Sequence, residues 1–230
     1  THMRIQGISG SRGVAVGNVY KYIQEEIVIP DYEVTDDQVE AEIGKFASAM
    51  AATLKQLDTI RQKALVDMGA DEAAIFEAHM QIAQDPSLSD GIKSLVENSK
   101  MNVVAATAQT IETFAAIFIG MDDPYMRERG ADIKDIGDRL MRNMLGMNPR
   151  GLSHISGEVI LVAQDLAPSD TASLDKNVVK GIVTAAGGPT SHAAIMARTL
   201  EIPAVMGVGD IESFVDGDKA VVLGTDGIVD

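Results

Sequence analysis

Over residues 35–145 apolar side chains return at three- and four-residue steps, the spacing of one buried stripe on a helix. Val39, Ile43, Phe46, Met50, Leu54, Leu57 and Ile60 form the first such series. The preceding Thr35-Asp36-Asp37-Gln38 has the form of a capping box with acidic groups in the first turn. A second helix is predicted over 71–84, with Ile75, Phe76, His79, Ile82 and Ala83 on adjoining faces until Pro86 interrupts it. Val104, Ala108, Ile111, Ala115 and Phe118 mark a third, closed by Gly120 and the turn Asp122-Asp123-Pro124. Met126, Ile133, Ile136, Leu140 and Met144 mark a fourth. Long helices joined by short polar turns predict an antiparallel bundle.

On either side the period changes. Residues 3–30 carry Gly7, Gly10, Gly13 and Gly17 between short pieces such as Val14-Ala15-Val16, which predicts short strands and tight turns. Residues 146–230 hold strand-like runs at Val159-Ile160-Leu161-Val162, Gly181-Ile182-Val183-Thr184, Ala204-Val205-Met206 and Ala220-Val221-Val222-Leu223, with a small-residue helix over 193–200. Strands alternating with helices predict an α/β arrangement. The expected fold is therefore mixed, α+β to α/β. Segments 3–30 and 146–230 would form one α/β domain, into which the helical bundle of 31–145 is inserted.

Composition narrows the function classes. There are 19 Lys and Arg against 34 Asp and Glu, a formal charge of -15, which argues against nucleic-acid binding. The chain has no Cys, so disulfides and thiolate metal sites are excluded. No apolar run approaches the roughly 20 residues of a membrane-crossing helix, and no signal peptide is visible. A cytoplasmic protein is expected. Thr1-His2 ahead of Met3 reads as a cloning remnant, so His2 is set aside. His79, His154 and His192 are too far apart in sequence to suggest a metal site, and no metal is expected in this chain.

Chemistry concentrates at Ala185-Ala186-Gly187-Gly188-Pro189-Thr190-Ser191-His192-Ala193-Ala194-Ile195-Met196-Ala197-Arg198. A β-branched strand runs into a Gly-Gly-Pro turn, Thr190 and Ser191 are good N-cap residues, and helix formers follow. His192 is thus placed in the first turn of a helix, where N–H groups lack intrahelical partners and attract anions. A neutral imidazole there can attack phosphorus. The phosphoryl anion would then meet the helix N–H groups and the Thr190 and Ser191 hydroxyls, with Gly187 and Gly188 permitting close approach. A plain helix-capping role for His192 stands beside this reading. His154 has no motif around it and is expected to be structural.

The stretch from Gly187 to Arg198, with the following Glu201-Ile202-Pro203-Ala204-Val205-Met206-Gly207, resembles the phosphohistidine signature of the PEP-utilising enzymes. That group includes enzyme I of the bacterial sugar phosphotransferase system, pyruvate phosphate dikinase and PEP synthase. The openings Gly7-Ile8-Ser9 and Gly13-Val14-Ala15-Val16-Gly17 look like enzyme I. So do Ala74-Ile75-Phe76-Glu77-Ala78-His79, Arg127-Glu128-Arg129-Gly130-Ala131-Asp132-Ile133 and Asp165-Leu166-Ala167-Pro168-Ser169-Asp170-Thr171. The resemblance implies a swivelling phosphohistidine domain and a bundle that docks HPr, a small His-containing carrier protein. It implies phosphoryl transfer from PEP through His192 to HPr. The docking residues it implies are Asp71, Glu72, His79, Ile82, Leu88 and Arg129. Core packing is the competing role for Ile82 and Leu88, a satisfied, partly buried side chain for His79, and a solvated helix start for Asp71 and Glu72.

Two positions depart from enzyme I. Ala167 stands where the family often has Thr, whose hydroxyl can bond the active imidazole, so a backbone carbonyl or water is expected to orient the ring instead. Pro189 stands where Arg is frequent. These departures leave room for a regulatory or dihydroxyacetone kinase-linked relative, or for a non-catalytic partner-binding module of the same fold. By the same resemblance, PEP and Mg²⁺ would be bound by a C-terminal domain that this chain does not include. No Walker A pattern is present to replace it.

Overall fold

A computed structural model describes residues 3–152 and 155–230. His154 lies outside the described residues. The chain divides into two compact units, residues 1–25 with 151–230, and residues 26–150.

The first unit opens with β1 (Ile5–Gln6), β2 (Ile8–Ser11) and β3 (Val14–Tyr22). After the second unit it resumes with β4 (Val159–Ala163), a five-residue helix (Pro168–Ala172), β5 (Val179–Thr184), a helix at His192–Thr199, β6 (Ala204–Met206), β7 (Lys219–Leu223) and β8 (Ile228–Val229). Among the described residues eight strands form one sheet, in the order β1-β8-β7-β3-β4-β5-β6-β2. β3, β4, β5 and β6 are mutually parallel, and the remaining pairings are antiparallel. β4 is buried at every position, as parallel strands covered on both faces are.

Gly7 alone separates the two edge strands, so the sheet curls back on itself around Val19, Ile160, Val162, Val183, Val205 and Val222. A Cβ on Gly7 would lie 2.6 Å from Met206 O, which is why no larger residue fits that closure. A second apolar layer, with Leu161, Ile182 and Met206, packs against Ala193, Ala194 and Ala197 of the His192–Thr199 helix.

The second unit is the bundle. A 3₁₀ turn at Asp36–Gln38 leads into α1 (Val39–Met68), followed by α2 (Ala70–Ala83), α3 (Pro86–Ser99), α4 (Val103–Ile119) and α5 (Pro124–Met144). In the first-unit segment after it, Pro168–Ala172 is α6 and His192–Thr199 is α7. The Thr35 N–H donates to Gln38 Oε1 at 3.1 Å, half of the predicted capping box. Gly69, at φ 100°, is the sole link between α1 and α2, a backbone turn that L side chains rarely adopt.

α3 is an element the periodicity did not predict. Pro86 ends α2, but it is also the first residue of the next helix, and Asp85 caps that helix by accepting from Ser87 N at 2.9 Å. Gly130 and Gly137 on α5 let α4 lie close: a Cβ on Gly137 would sit 2.7 Å from Ile111 Cγ1. Phe46, Leu88, Ile92, Val96, Val104, Ile111, Ile133 and Leu140 fill the bundle core. Among the described residues no helix is long and apolar enough to cross a membrane.

Candidate functional site

β5 ends at Thr184, whose hydroxyl donates to Ala186 O at 2.6 Å and bends the chain out of the sheet. The sequence pattern predicts Thr184 only as a strand residue. Its signal was a hydroxyl residue just before a glycine turn. Gly187 follows at φ 88°, which favours glycine. A Cβ added at Gly188 would meet nothing within 4 Å, so the turn is open on that side.

Ser191 is the N-cap of α7. Its hydroxyl donates to Gly188 O at 2.7 Å and accepts from Ala194 N at 3.2 Å. Expected as phosphoryl support, that hydroxyl is instead spent on holding the turn and capping the helix. Thr190 is exposed, and its hydroxyl makes no hydrogen bond among the described residues. With Ala194 N taken by the cap and Ile195 N bonded to Ser191 O, the His192 and Ala193 N–H groups remain available to an anion.

His192 is the first residue of α7 and half-buried. Its Nε2 is shut off from solvent and has no hydrogen-bond partner among the described residues. The expected carbonyl partner is therefore not found at Nε2 among those residues. α6, which begins after Ala167, lies against α7. Asp170 holds this corner, accepting from Ala167 N at 2.8 Å and from the buried Tyr22 hydroxyl at 2.7 Å.

In the bundle, Asp71 and Glu72 occupy the first turn of α2, where the helix dipole favours acids. Ile82 and Arg129 are half-buried and line one pocket of about 110 Å³ with Asp85, Leu88, Phe114 and Phe118. Two expected contact residues are not surface groups. His79 is fully buried, edge-on to Phe76 with ring centroids 5.3 Å apart and Nε2 3.1 Å from Asp132 Oδ1. Its place on α2 among Phe76 and Ala83 turns it inward. Leu88 is 2% exposed because α3 buries the stripe Leu88, Ile92 and Val96, so it reaches only the floor of the pocket. The structure thus brings Ile82, Leu88 and Arg129 together at one pocket, whose lining does not include His79. Among the described residues no group of three or more His, Cys, Asp or Glu could hold a metal ion.

A curled sheet thus presents a histidine at a glycine-turn helix start, and a helical bundle is inserted in the chain. The chain belongs to the PEP-utilising enzymes: residues 6–129 match the family model described as PEP-utilising enzyme, N-terminal, and residues 155–227 match PEP-utilising enzyme, mobile domain. It is 43% identical over 219 residues to the phosphoenolpyruvate-protein phosphotransferase of Listeria monocytogenes and 40% identical to that of Haemophilus influenzae. Each alignment covers 95% of this chain and 38% of the relative, so the chain spans well under half the length of these curated relatives. A solution NMR structure of Enzyme I matches with a TM-score of 0.87 at 40% identity, covering 98% of this chain and 92% of that one. The N-terminal domain of Enzyme 1 - Nitrogen shares the fold at 24% identity, with a TM-score of 0.66 and the same coverages of 98% and 92%.

Proposed function

We propose that this chain is the phosphohistidine-carrying and HPr-docking part of an enzyme I-type PEP-protein phosphotransferase of the bacterial sugar phosphotransferase system. The observation that carries the reading is His192 at the first position of α7, beside an open Gly187-Gly188 turn and two helix N–H groups with no intrahelical acceptor. Family membership and the high similarity to Enzyme I support it.

In the forward direction the lone pair of His192 Nε2 attacks the phosphorus of PEP. The N–P bond forms as the P–O bond to the enolate breaks, and its electron pair leaves with enolpyruvate, which is then protonated. In the second step a histidine nitrogen of HPr attacks the same phosphorus, and the N–P electron pair returns to His192. Because Nε2 is occluded at rest, the ring turns on its side-chain torsions to meet either partner. The His192 and Ala193 N–H groups and the Thr190 hydroxyl then receive the phosphoryl oxygens. These donors are few and there is no arginine clamp among them, which suits a group that must be passed on.

HPr docks on the bundle at Asp71, Glu72, Ile82 and Arg129, with the Leu88-floored pocket taking an apolar side chain. PEP and Mg²⁺ would be held by the part of the enzyme that lies outside the matched 38% of the relatives. Such a protein works in the cytoplasm. His192→Ala is expected to reduce phosphoryl exchange with phospho-HPr by about 10³-fold or more, with the fold intact because the side chain belongs to neither apolar core. A variant that still takes up phosphate at the normal rate would sink the proposal.

A further inference from the structure

Away from the first turn of α7, its last turn borders a second polar cavity. The β2–β3 turn brings Arg12, the end of α7 brings Arg198 and Glu201, and the β7–β8 turn brings Thr225; together with Ser9 and Ser11 they line a space of about 730 Å³. The three turns are tied to one another. Arg198 Nη1 donates to Gly10 O at 2.8 Å, Gly13 N donates to Thr225 Oγ1 at 3.1 Å, and Gly224 N donates to Gly13 O at 2.8 Å. The cavity is thus preorganised, which lowers the ordering cost of binding.

Its charge runs against that of the molecule. In a chain of net charge -15, Arg4, Arg61 and Arg142 each pair with a carboxylate. Arg12 and Arg198 do not pair with one among the described residues, and Glu201, in the same cavity, comes within 4.0 Å of neither guanidinium. Two full cations therefore face one carboxylate. The partial negative charge at the C-terminus of α7, roughly half an elementary charge, weakens this field without reversing it.

The lining also limits the ligand. Guanidinium forks and hydroxyls suit a tetrahedral oxyanion, while the absence of any aromatic or aliphatic residue from the lining offers no surface to a base or an acyl chain. We propose that Arg12 and Arg198 form a binding site for a small phosphate-class anion, inorganic phosphate or a polar phosphate monoester. Arg198 stands six residues after His192, about 9 Å along the helix, so this site is separate from the phosphoryl-accepting end and stands independently of the function proposed above.

The test is an amide NMR titration of the full chain with sodium phosphate, against sodium chloride at matched ionic strength, followed by glucose 6-phosphate and phosphoenolpyruvate. Saturable shifts are expected at Arg12, Gly13, Glu201 and Thr225. Arg12→Gln, on an exposed turn, should weaken binding by about tenfold or more without changing melting. Arg198→Gln, which also gives up the bond to Gly10 O, serves as the second variant and is read on binding, with a loss at least as large expected. Tighter binding of an ester identifies a metabolite as the source of the anion, and equal binding identifies free phosphate. Shifts that never saturate, that chloride reproduces, or that persist unchanged in Arg12→Gln would overturn the proposal.

Discussion

A buried ring nitrogen without a hydrogen bond costs about 1–3 kcal/mol, and His192 Nε2 is such an atom among the described residues. Ala167 precedes α6, the helix lying against α7, and offers no side-chain oxygen. Ala167→Thr is expected to supply the missing partner, raising stability by about 1 kcal/mol and shifting the His192 ring ¹⁵N signals toward a single hydrogen-bonded tautomer. Greater stability with unchanged ring signals would mean that the hydroxyl only caps α6. The motif made the position of His192 legible, because strand, glycine turn, N-cap and helix formers each leave a local trace. The isolation of Nε2 and the commitment of the Ser191 hydroxyl to Gly188 O were not legible, since both depend on how the turn folds back on itself. His79 did carry a signal: its neighbours Ile75, Phe76, Ile82 and Ala83 are those of an inward-facing position.

At the scale of elements, one carboxylate links three segments of the bundle. Glu42 on α1 accepts from Val103 N, at the start of α4, at 2.9 Å and from the Tyr32 hydroxyl at 2.8 Å, with Lys45 Nζ 3.2 Å away. Burial pushes its pKa up, but the Val103 N–H, the Tyr32 hydroxyl and Lys45 outweigh that and leave it below the ordinary glutamate value. The stabilisation is therefore complete above the ordinary value and is lost as pH falls through the lower, folded-state value. Glu42→Gln is expected to cost about 1–3 kcal/mol at pH 7, and urea melts should show the difference from the parent narrowing once the pH drops below the carboxylate range. A constant difference across that range would contradict the role. Periodicity made α1, α2, α4 and α5 legible, and short β-branched runs did the same for β4, β5, β6 and β7. α3 was hidden because its strongest local mark, Asp85-Pro86, reads equally well as an end and as a start. α6 and β8, with five and two residues, are too short for any period to show.

For the whole molecule, the two units divide the proposed work: the curled sheet carries His192, and the bundle offers the pocket of Ile82, Leu88 and Arg129 to HPr. The strongly acidic chain favours a partner that is basic where the two meet. The proposed step that rests on these two features alone is phosphoryl exchange with the carrier. The direct measurement is to incubate the chain with phospho-HPr and locate the transferred phosphate by ³¹P and ¹⁵N NMR and peptide mapping. An N–P bond to His192 Nε2 is expected, reversible on adding unphosphorylated HPr. Phosphate on another residue, or none taken up by the folded chain, would contradict the assignment of His192 as the phosphoryl carrier.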